Sequence, residues 1–419
     1  MKLYHGSKKI VSMPVCDQKN VLSDFGEGFY AAESEELARE WAAADENGGF
    51  LNIYELDTEG LKVIDLCSGG HELQEWLAVI SAHRVMPLST SKEASKKAAL
   101  IKDHLPDLKD ADIIKGYRAD DSTFSLCREC LKGSITLQKL QSAIKQGTLG
   151  EQVLIKTEKA LKKLEYIDSD TVDGSIYYPK RMIRDLNVKR SLADLPDEAA
   201  DASYPAVYLK DAMQTMGELL SYLPQASDTI QADRLLKMFT ASGYASRFEK
   251  GDPFIISGMS GTELFYRIAE ACGEYRYYRS FPDVLSDTGE AFRCGMFLAY
   301  YQWKSGLSFQ AITNAMSYAR LSALYPELSG LSPSEACVII DSRLRGRRSA
   351  QTCLQAQRKR LDLSQRELAA SSGVNLRTLQ QYEVGDKDIN RAAAKKVTAL
   401  SRTLFCRSED ILEPPRLLT

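Results

Sequence analysis

Apolar and polar positions follow two different rhythms along this chain. Near the N-terminus they suit short strands. Residues 2–5 form a brief apolar start that reaches Gly6, where a backbone can turn or admit a ligand closely. Gly26 and Gly28 flank Glu27 just before the apolar-aromatic step Phe29-Tyr30-Ala31-Ala32, so a second strand is expected to begin at a tight bend. Gly150-Glu151-Gln152-Val153-Leu154-Ile155-Lys156 predicts a late strand. Two strands meeting at glycines, with His5 on one and Tyr30 on the other, frame a cleft open to a flat ligand.

From Val207 onward helical spacing takes over. Ser260-Gly261-Thr262-Glu263 is a capping box that opens a helix through Ala271. Residues 290–303 predict another helix, and its uncharged run 294–303 reads as a buried core segment too short to span a membrane. The aromatics around it, among them Tyr275, Tyr277, Tyr278, Phe297, Tyr301 and Trp303, are expected to fill a helical core. Residues 353–412 predict five short helices. Ser364-Gln365-Arg366-Glu367 caps one that breaks at Ser371-Ser372-Gly373, and Asn375 opens the next, which Gly385 stops. Leu354, Leu361, Leu363, Leu368, Val374, Leu379, Ile389, Val397, Leu400 and Ile411 can close over one small core. Between the two rhythms, residues 168–174 break the pattern and residues 191–206 are acidic with two prolines, so a linker is expected over 166–206.

Several motifs carry chemistry. His5-Gly6-Ser7, Gly26-Glu27-Gly28-Phe29-Tyr30 and Trp41 together resemble the NAD-binding half of the poly(ADP-ribose) polymerase and diphtheria-toxin-like transferases. That family sets a His-Gly pair on one strand, a Gly-x-Gly-x-Tyr on the next, a second aromatic on a helix and a Glu on a late strand. Residues 1 to about 165 also resemble a bacterial family of formally unknown function. The shared segments are Tyr4-His5-Gly6-Ser7, Asp24 to Tyr30, Ala119-Asp120-Asp121, and a strand through Gln152 followed by Lys156-Thr157-Glu158-Lys159-Ala160-Leu161.

The resemblance implies an ADP-ribosyltransferase-like fold with NAD as substrate. His5 would bond a ribose hydroxyl, the Gly6 backbone would pair with the carboxamide, and Ser7 and Gly28 would border the site. Tyr30 and Trp41 would stack on the nicotinamide. Cleaving the nicotinamide–ribose bond builds positive charge on the sugar, so a carboxylate belongs nearby. Glu151 is the first choice for that role, and a shift of one residue would put Gln152 there instead, which carries no charge. Asp120 and Asp121 offer a second acidic source in a turn expected to be solvated. Ala38 stands where the polymerases have a Ser that contacts nicotinamide, which favours mono-ADP-ribosylation over polymer formation.

The C-terminal helices resemble the phage-repressor class of helix-turn-helix domains through Leu363-Ser364-Gln365-Arg366-Glu367-Leu368-Ala369 and Arg377-Thr378-Leu379-Gln380-Gln381-Tyr382-Glu383. In that class the second helix of the motif enters the major groove. Asn375, Arg377, Thr378 and Gln381 are then the base readers, with Gln365 and Arg366 on phosphates. The class also implies a homodimer on paired half-sites. Residues 341–419 hold 16 Lys plus Arg against 9 Asp plus Glu, a net of +7, while the rest of the chain holds 38 against 48, a net of −10. A basic module on an acidic body is the footprint of a DNA-binding appendage. Together with the middle helices, it resembles stand-alone bacterial regulators through Met216-Gly217-Glu218-Leu219, Ser257 to Phe265 and Leu298 to Trp303.

Composition adds little more. Nine scattered cysteines, and no apolar segment before the first strand, fit a cytoplasmic protein with no membrane partner. Cys127-x-x-Cys130 has no second pair at ligand spacing, so no metal is expected. The expectation is therefore an α+β multidomain chain. A split β-sheet ADP-ribosyltransferase-like domain covers 1–165, a linker 166–206, an all-helical domain 207–345 and a five-helix helix-turn-helix domain 350–415. Functionally it reads as a toxin-like mono-ADP-ribosyltransferase fused to a DNA-binding, antitoxin-like half, with a protein or nucleic-acid acceptor. The alternative is a transcriptional regulator with a degenerate, NAD-sensing transferase fold.

Overall fold

The N-terminal strands close into two small sheets rather than one. Among the described residues seven strands take part: β1 (Lys2–Ser7), β2 (Phe29–Ala31), β3 (Gly49–Leu56), β4 (Val63–Asp65), β5 (Ile113–Tyr117), β6 (Glu151–Ile155) and β7 (Leu164–Val172). One sheet is ordered β1-β3-β7 and the other β2-β6-β5-β4, with only β4 and β5 parallel. Tyr4 and Ala32 exchange two backbone hydrogen bonds of 2.8 Å, and this bridge joins the sheets. The computed structural model describes residues 1–16, 23–68, 70–146, 150–192, 202–274, 281–348, 352–384 and 387–413.

Alternation along each strand sorts the side chains. Leu3, Phe29, Tyr54, Ile113, Val153 and Ile155 pack into one cluster, while Leu154 turns the other way onto Phe25, Trp76 and Phe124. Helix α1 (Glu35–Ala42), capped by Ser34, lies on the first sheet through Ala38 and Ala42. Helices α2 (Leu73–His83), α3 (Ser91–His104), α4 (Ser122–Lys132) and α5 (Leu137–Gln146) follow, and α2, α4 and α5 cover the second sheet. A short α6 (Glu158–Leu161) precedes β7. The glycine at position 6 serves α1 rather than a turn. A Cβ there would sit 1.9 Å from the Ala38 carbonyl oxygen, and β1 runs on through Ser7.

The expected linker needs correction. Residues 166–172 belong to β7, an edge strand whose exposed positions tolerate the acidic residues that looked like a break. Helix α7 (Gly174–Leu192) follows and is anchored at both faces. Arg184 donates to Glu40 at 2.6 Å, and Asp185 accepts from Ser122 and Tyr208.

The helical body comprises α8 (Leu209–Ala226), α9 (Ala232–Ala241), α10 (Tyr244–Glu249), α11 (Pro253–Ile256), α12 (Gly261–Ala271), α13 (Glu290–Ser305), α14 (Phe309–Ala315), α15 (Tyr318–Leu328) and α16 (Pro333–Arg348). The uncharged run falls inside α13, and its Phe297, Tyr301 and Trp303 are buried in the body's core. Tyr275, Tyr277 and Tyr278 lie outside the described residues.

The C-terminal domain holds α17 (Cys353–Arg360), α18 (Gln365–Ser372), α19 (Leu376–Val384) and α20 (Ala394–Thr403) over its own core. Four helices, not five, are formed among the described residues. Phe405 adopts a φ of +50° just after α20, and only a single 3₁₀ turn, Ser408–Asp410, follows. Leu361, expected in the core, follows the end of α17 and is 40% exposed. Gly385 lies outside the described residues. The protein is thus α+β and mostly helical, with small N-terminal sheets and a helical C-terminal module.

Candidate functional site

The turn that opens β2 carries a buried carboxylate. Asp24 sits just before Gly26, whose φ of +92° bends the chain back. Its Oδ2 accepts from the Ala119 amide at 2.7 Å and from Gln152 Nε2 at 2.6 Å, and its Oδ1 accepts from Arg84 Nη1 at 2.6 Å. Three separate segments are thereby tied to one side chain.

Arg84, just after α2, places all its donors. Nε and Nη2 grip Glu263 at 2.9 and 2.8 Å, Nη1 also reaches the Ala119 carbonyl, and Nη2 reaches the Gly258 carbonyl at 2.6 Å. Burial works against this cation, but Glu263 and Asp24 outweigh it and hold the guanidinium protonated. Glu263 is the capping-box residue of α12, so one carboxylate ends a helix and pairs a buried arginine.

Beside this node lies a cavity of about 380 Å³. From the N-terminal domain Tyr30, Trp41, Arg118, Asp120 and Gln152 face it, and Tyr244, Arg247, Phe254 and Arg267 of the body complete the wall. The Tyr30 hydroxyl donates to the Gly26 carbonyl at 2.8 Å and accepts from the Phe25 amide at 3.0 Å. Burial pushes that hydroxyl's pKa well up, so Tyr30 offers its ring rather than a proton. Trp41 is covered by the Arg118 guanidinium, 4.3 Å from its ring centroid.

The other expected site residues divide. Gln152 is buried and lines the cavity; Glu151 does not. Successive side chains on a strand face opposite ways, and the Gly116–Gln152 pairing of β5 with β6 fixes which residue turns inward. Glu151 stands exposed beside Cys67, Asp65 and Glu33, and partial burial followed by those two acids raises its pKa. His5 adjoins the cavity through Tyr30: its Nδ1 donates to the Tyr30 carbonyl at 2.7 Å, and burial lowers its pKa. Gly6, Ser7 and Gly28 do not line it. The Ser7 hydroxyl donates to the Lys9 carbonyl at 2.5 Å, and Gly28 fits tightly against Ile155 and Leu154 of β6.

The acidic turn is not simply solvated. Asp120, 42% exposed, faces the cavity; burial opposes its ionisation, but Arg118, Arg181 and Arg84 hold its pKa below the ordinary value. Asp121 is buried at the N-terminus of α4, and burial with Asp185 and Asp120 nearby pushes its pKa up to about 7. Among the described residues no group of three or more His, Cys, Asp or Glu side chains is placed to hold a metal ion.

On the C-terminal domain Asn375, Arg377 and Gln380 are exposed, with Thr378 and Gln381 half-buried. Asn375 uses its Oδ1 to accept from the Arg377 and Thr378 amides, which starts α19. Arg358 grips Glu383 through Nε at 2.6 Å and Nη2 at 2.8 Å, and Gln365 donates to the same carboxylate at 2.8 Å. Gln365 therefore joins α18 to α19, and Arg366 is exposed beside it. Sequence reading missed Gln380, which extends the exposed row, and it missed Arg84, Arg247 and Arg267, lone arginines without a motif around them.

Residues 1–166 match the family described as a protein of unknown function (DUF3990), and residues 354–411 match the helix-turn-helix family. No curated protein and no solved structure matches the chain. The C-terminal module is thus a DNA-binding helix-turn-helix. Among the described residues no helix is long and apolar enough to cross a membrane.

Proposed function

We propose that the N-terminal domain takes NAD into the cavity and transfers its ADP-ribose to an acceptor, as a mono-ADP-ribosyltransferase governed by the DNA-binding half. The convergence on Asp24 carries this reading. The Asp24 loop, the Ala119-Asp120-Asp121 turn and the Gln152 strand, segments shared with the family of unknown function, meet at a single buried carboxylate beside Tyr30 and Trp41, the two aromatics of the transferase-like pattern.

Negative charge near the developing ribosyl cation lowers the barrier. Arg84 is shared between Asp24 and Glu263, so that cluster keeps a net negative charge, and Asp120 adds a second carboxylate at the wall. Gln152 spends Nε2 on Asp24, which leaves its carbonyl oxygen to accept from a ribose hydroxyl. His5 is held neutral by burial with Nδ1 as the donor, so Nε2 is an acceptor of the same kind. Tyr4 spends its amide and carbonyl on Ala32, and strand alternation directs those of Gly6 to the same side, toward Tyr30.

The full chain with NAD labelled in the adenylate, and with nicotinamide release followed in parallel, tests the reading. The parent should release nicotinamide and transfer label to protein or nucleic acid, and Gln152→Ala and Tyr30→Ala should both lose it. Binding of NAD without release favours the second reading, a regulator that senses NAD. The placement of Gln152 rather than Glu151 in the cavity supports that alternative, since a carboxamide neither takes a proton nor carries charge. Either way a homodimer on paired DNA half-sites is the expected operator complex.

A further inference from the structure

The cavity is finished by residues the N-terminal domain does not own. Four arginines and two aspartates line it, and two of the arginines, Arg247 and Arg267, belong to α10 and α12 of the body. The body's backbone also presses on the acidic turn, since a Cβ on Gly258 would lie 2.2 Å from the Asp120 carbonyl oxygen. Two guanidinium N–H groups, one on this wall and one behind it, have no acceptor among the described residues. Arg247 gives Nε to Asp252 at 2.7 Å and is about one-third exposed. Arg118 gives Nη2 to both oxygens of Asp120, while its buried Nε has no acceptor among the described residues. Arg181, stacked with Arg118 on Phe254, has an equally unanswered Nε. Burial lowers the Arg181 pKa to about 10, against the opposing pull of Asp252 and Asp120.

We infer that the body completes the cavity as a pyrophosphate-binding site, with Arg247, Arg267 and Arg118 taking the phosphate oxygens of a dinucleotide whose reactive end lies by Tyr30 and Gln152. The dinucleotide rests on the function proposed above; the phosphate site rests on the cavity alone. Guanidiniums suit this task because their forked donors bind phosphate in pairs. Ligand occupancy then bridges the N-terminal domain and the body, and the body acts as part of the binding site rather than as a cover over a finished one.

Calorimetric titration of the full chain with NAD, inorganic pyrophosphate and nicotinamide riboside tests this. Arg267→Gln and Arg247→Gln should each weaken NAD and pyrophosphate by about tenfold or more, the loss of one charge-assisted contact, and leave nicotinamide riboside unchanged. Arg247→Lys keeps the charge beside Asp252 and should recover part of the affinity if the Gln variant misfolds. A folded Arg267→Gln chain that binds NAD like the parent overturns the inference. Equal weakening of nicotinamide riboside overturns it too, because that marks a structural loss. A parent that binds pyrophosphate but not NAD sinks the dinucleotide reading and leaves the phosphate site standing; a parent that binds neither sinks the site.

Discussion

Two buried arginine–glutamate pairs can be set side by side, Arg358–Glu383 in the C-terminal domain and Arg84–Glu263 near the cavity. Both are forked and nearly free of solvent. The first links residues 25 apart and lies within a domain that has its own core. The second links residues 179 apart and lies between a domain and its neighbour. A pair of the first kind fixes local geometry, here the seating of α19 against α17 and α18. A pair of the second kind makes two regions depend on each other for charge compensation. The helix-turn-helix module thus compensates its buried arginine internally, and the N-terminal domain does not.

The largest test removes one partner from each pair. Arg84→Ala strands Asp24 and Glu263 as buried anions and should cost about 3–5 kcal/mol, seen as a lowered urea midpoint of tryptophan fluorescence. Trp41, Trp76 and Trp303 are the only tryptophans, and none lies in the C-terminal domain, so fluorescence reports on the N-terminal domain and body alone. Glu383→Ala should cost a similar amount, about 3 kcal/mol, but abolish DNA binding while leaving the fluorescence transition in place. A fluorescence transition that moves with Glu383→Ala would break the contrast.

The next effect is on pH. Asp121 has a folded pKa above its unfolded one, so its protonated form favours folding. Its contribution is full below about pH 4 and is lost as the pH rises through about 7. Stability followed by fluorescence should therefore fall by up to about 1.4 kcal/mol per pH unit over that window. Asp121→Asn, which keeps an acceptor for the Thr123 amide, should flatten the slope; an unchanged slope would place the titration elsewhere. A smaller change is expected for Arg377→Ala, about 1–3 kcal/mol in operator affinity by fluorescence anisotropy, with ligand binding at the cavity untouched. Glu151→Gln should do least, shifting stability by no more than about 0.5 kcal/mol and leaving nicotinamide release at the parent rate. Loss of release in that variant would return the catalytic role to the outward face of β6.

What could be read in advance follows the range of the forces involved. Caps and core periodicity are local, and Ser260, Glu263, Ser364 and Glu367 form the capping boxes their spacing announces. The choice between Glu151 and Gln152 was open because it depends on pairing with β5, where Gln152 meets Gly116 far upstream in the chain. The strand at 164–172 was hidden by its polar edge character. Glu263 was legible as a cap, but its grip on Arg84 was not, because nothing in a pentapeptide marks an arginine that awaits a carboxylate far along the chain. The cavity was half legible: Tyr30, Trp41 and Gln152 belong to motifs, whereas Arg247, Phe254 and Arg267 lie in helices whose pattern speaks only of packing.

The span of the Arg84–Glu263 pair also sets a schedule. Leu88 exchanges backbone hydrogen bonds with Asp283 and Leu285, so the same neighbourhood waits on a still later segment. A ribosome adding about 5–20 residues per second needs roughly 10–40 s to travel the 179 residues from Arg84 to Glu263. Throughout that interval Arg84 of the nascent N-terminal domain has Asp24 but not Glu263, and the body's half of the cavity wall is missing. The cavity wall is thereby completed only after the body's Arg247 and Arg267 have been made, so the order of synthesis sets when the cavity can form.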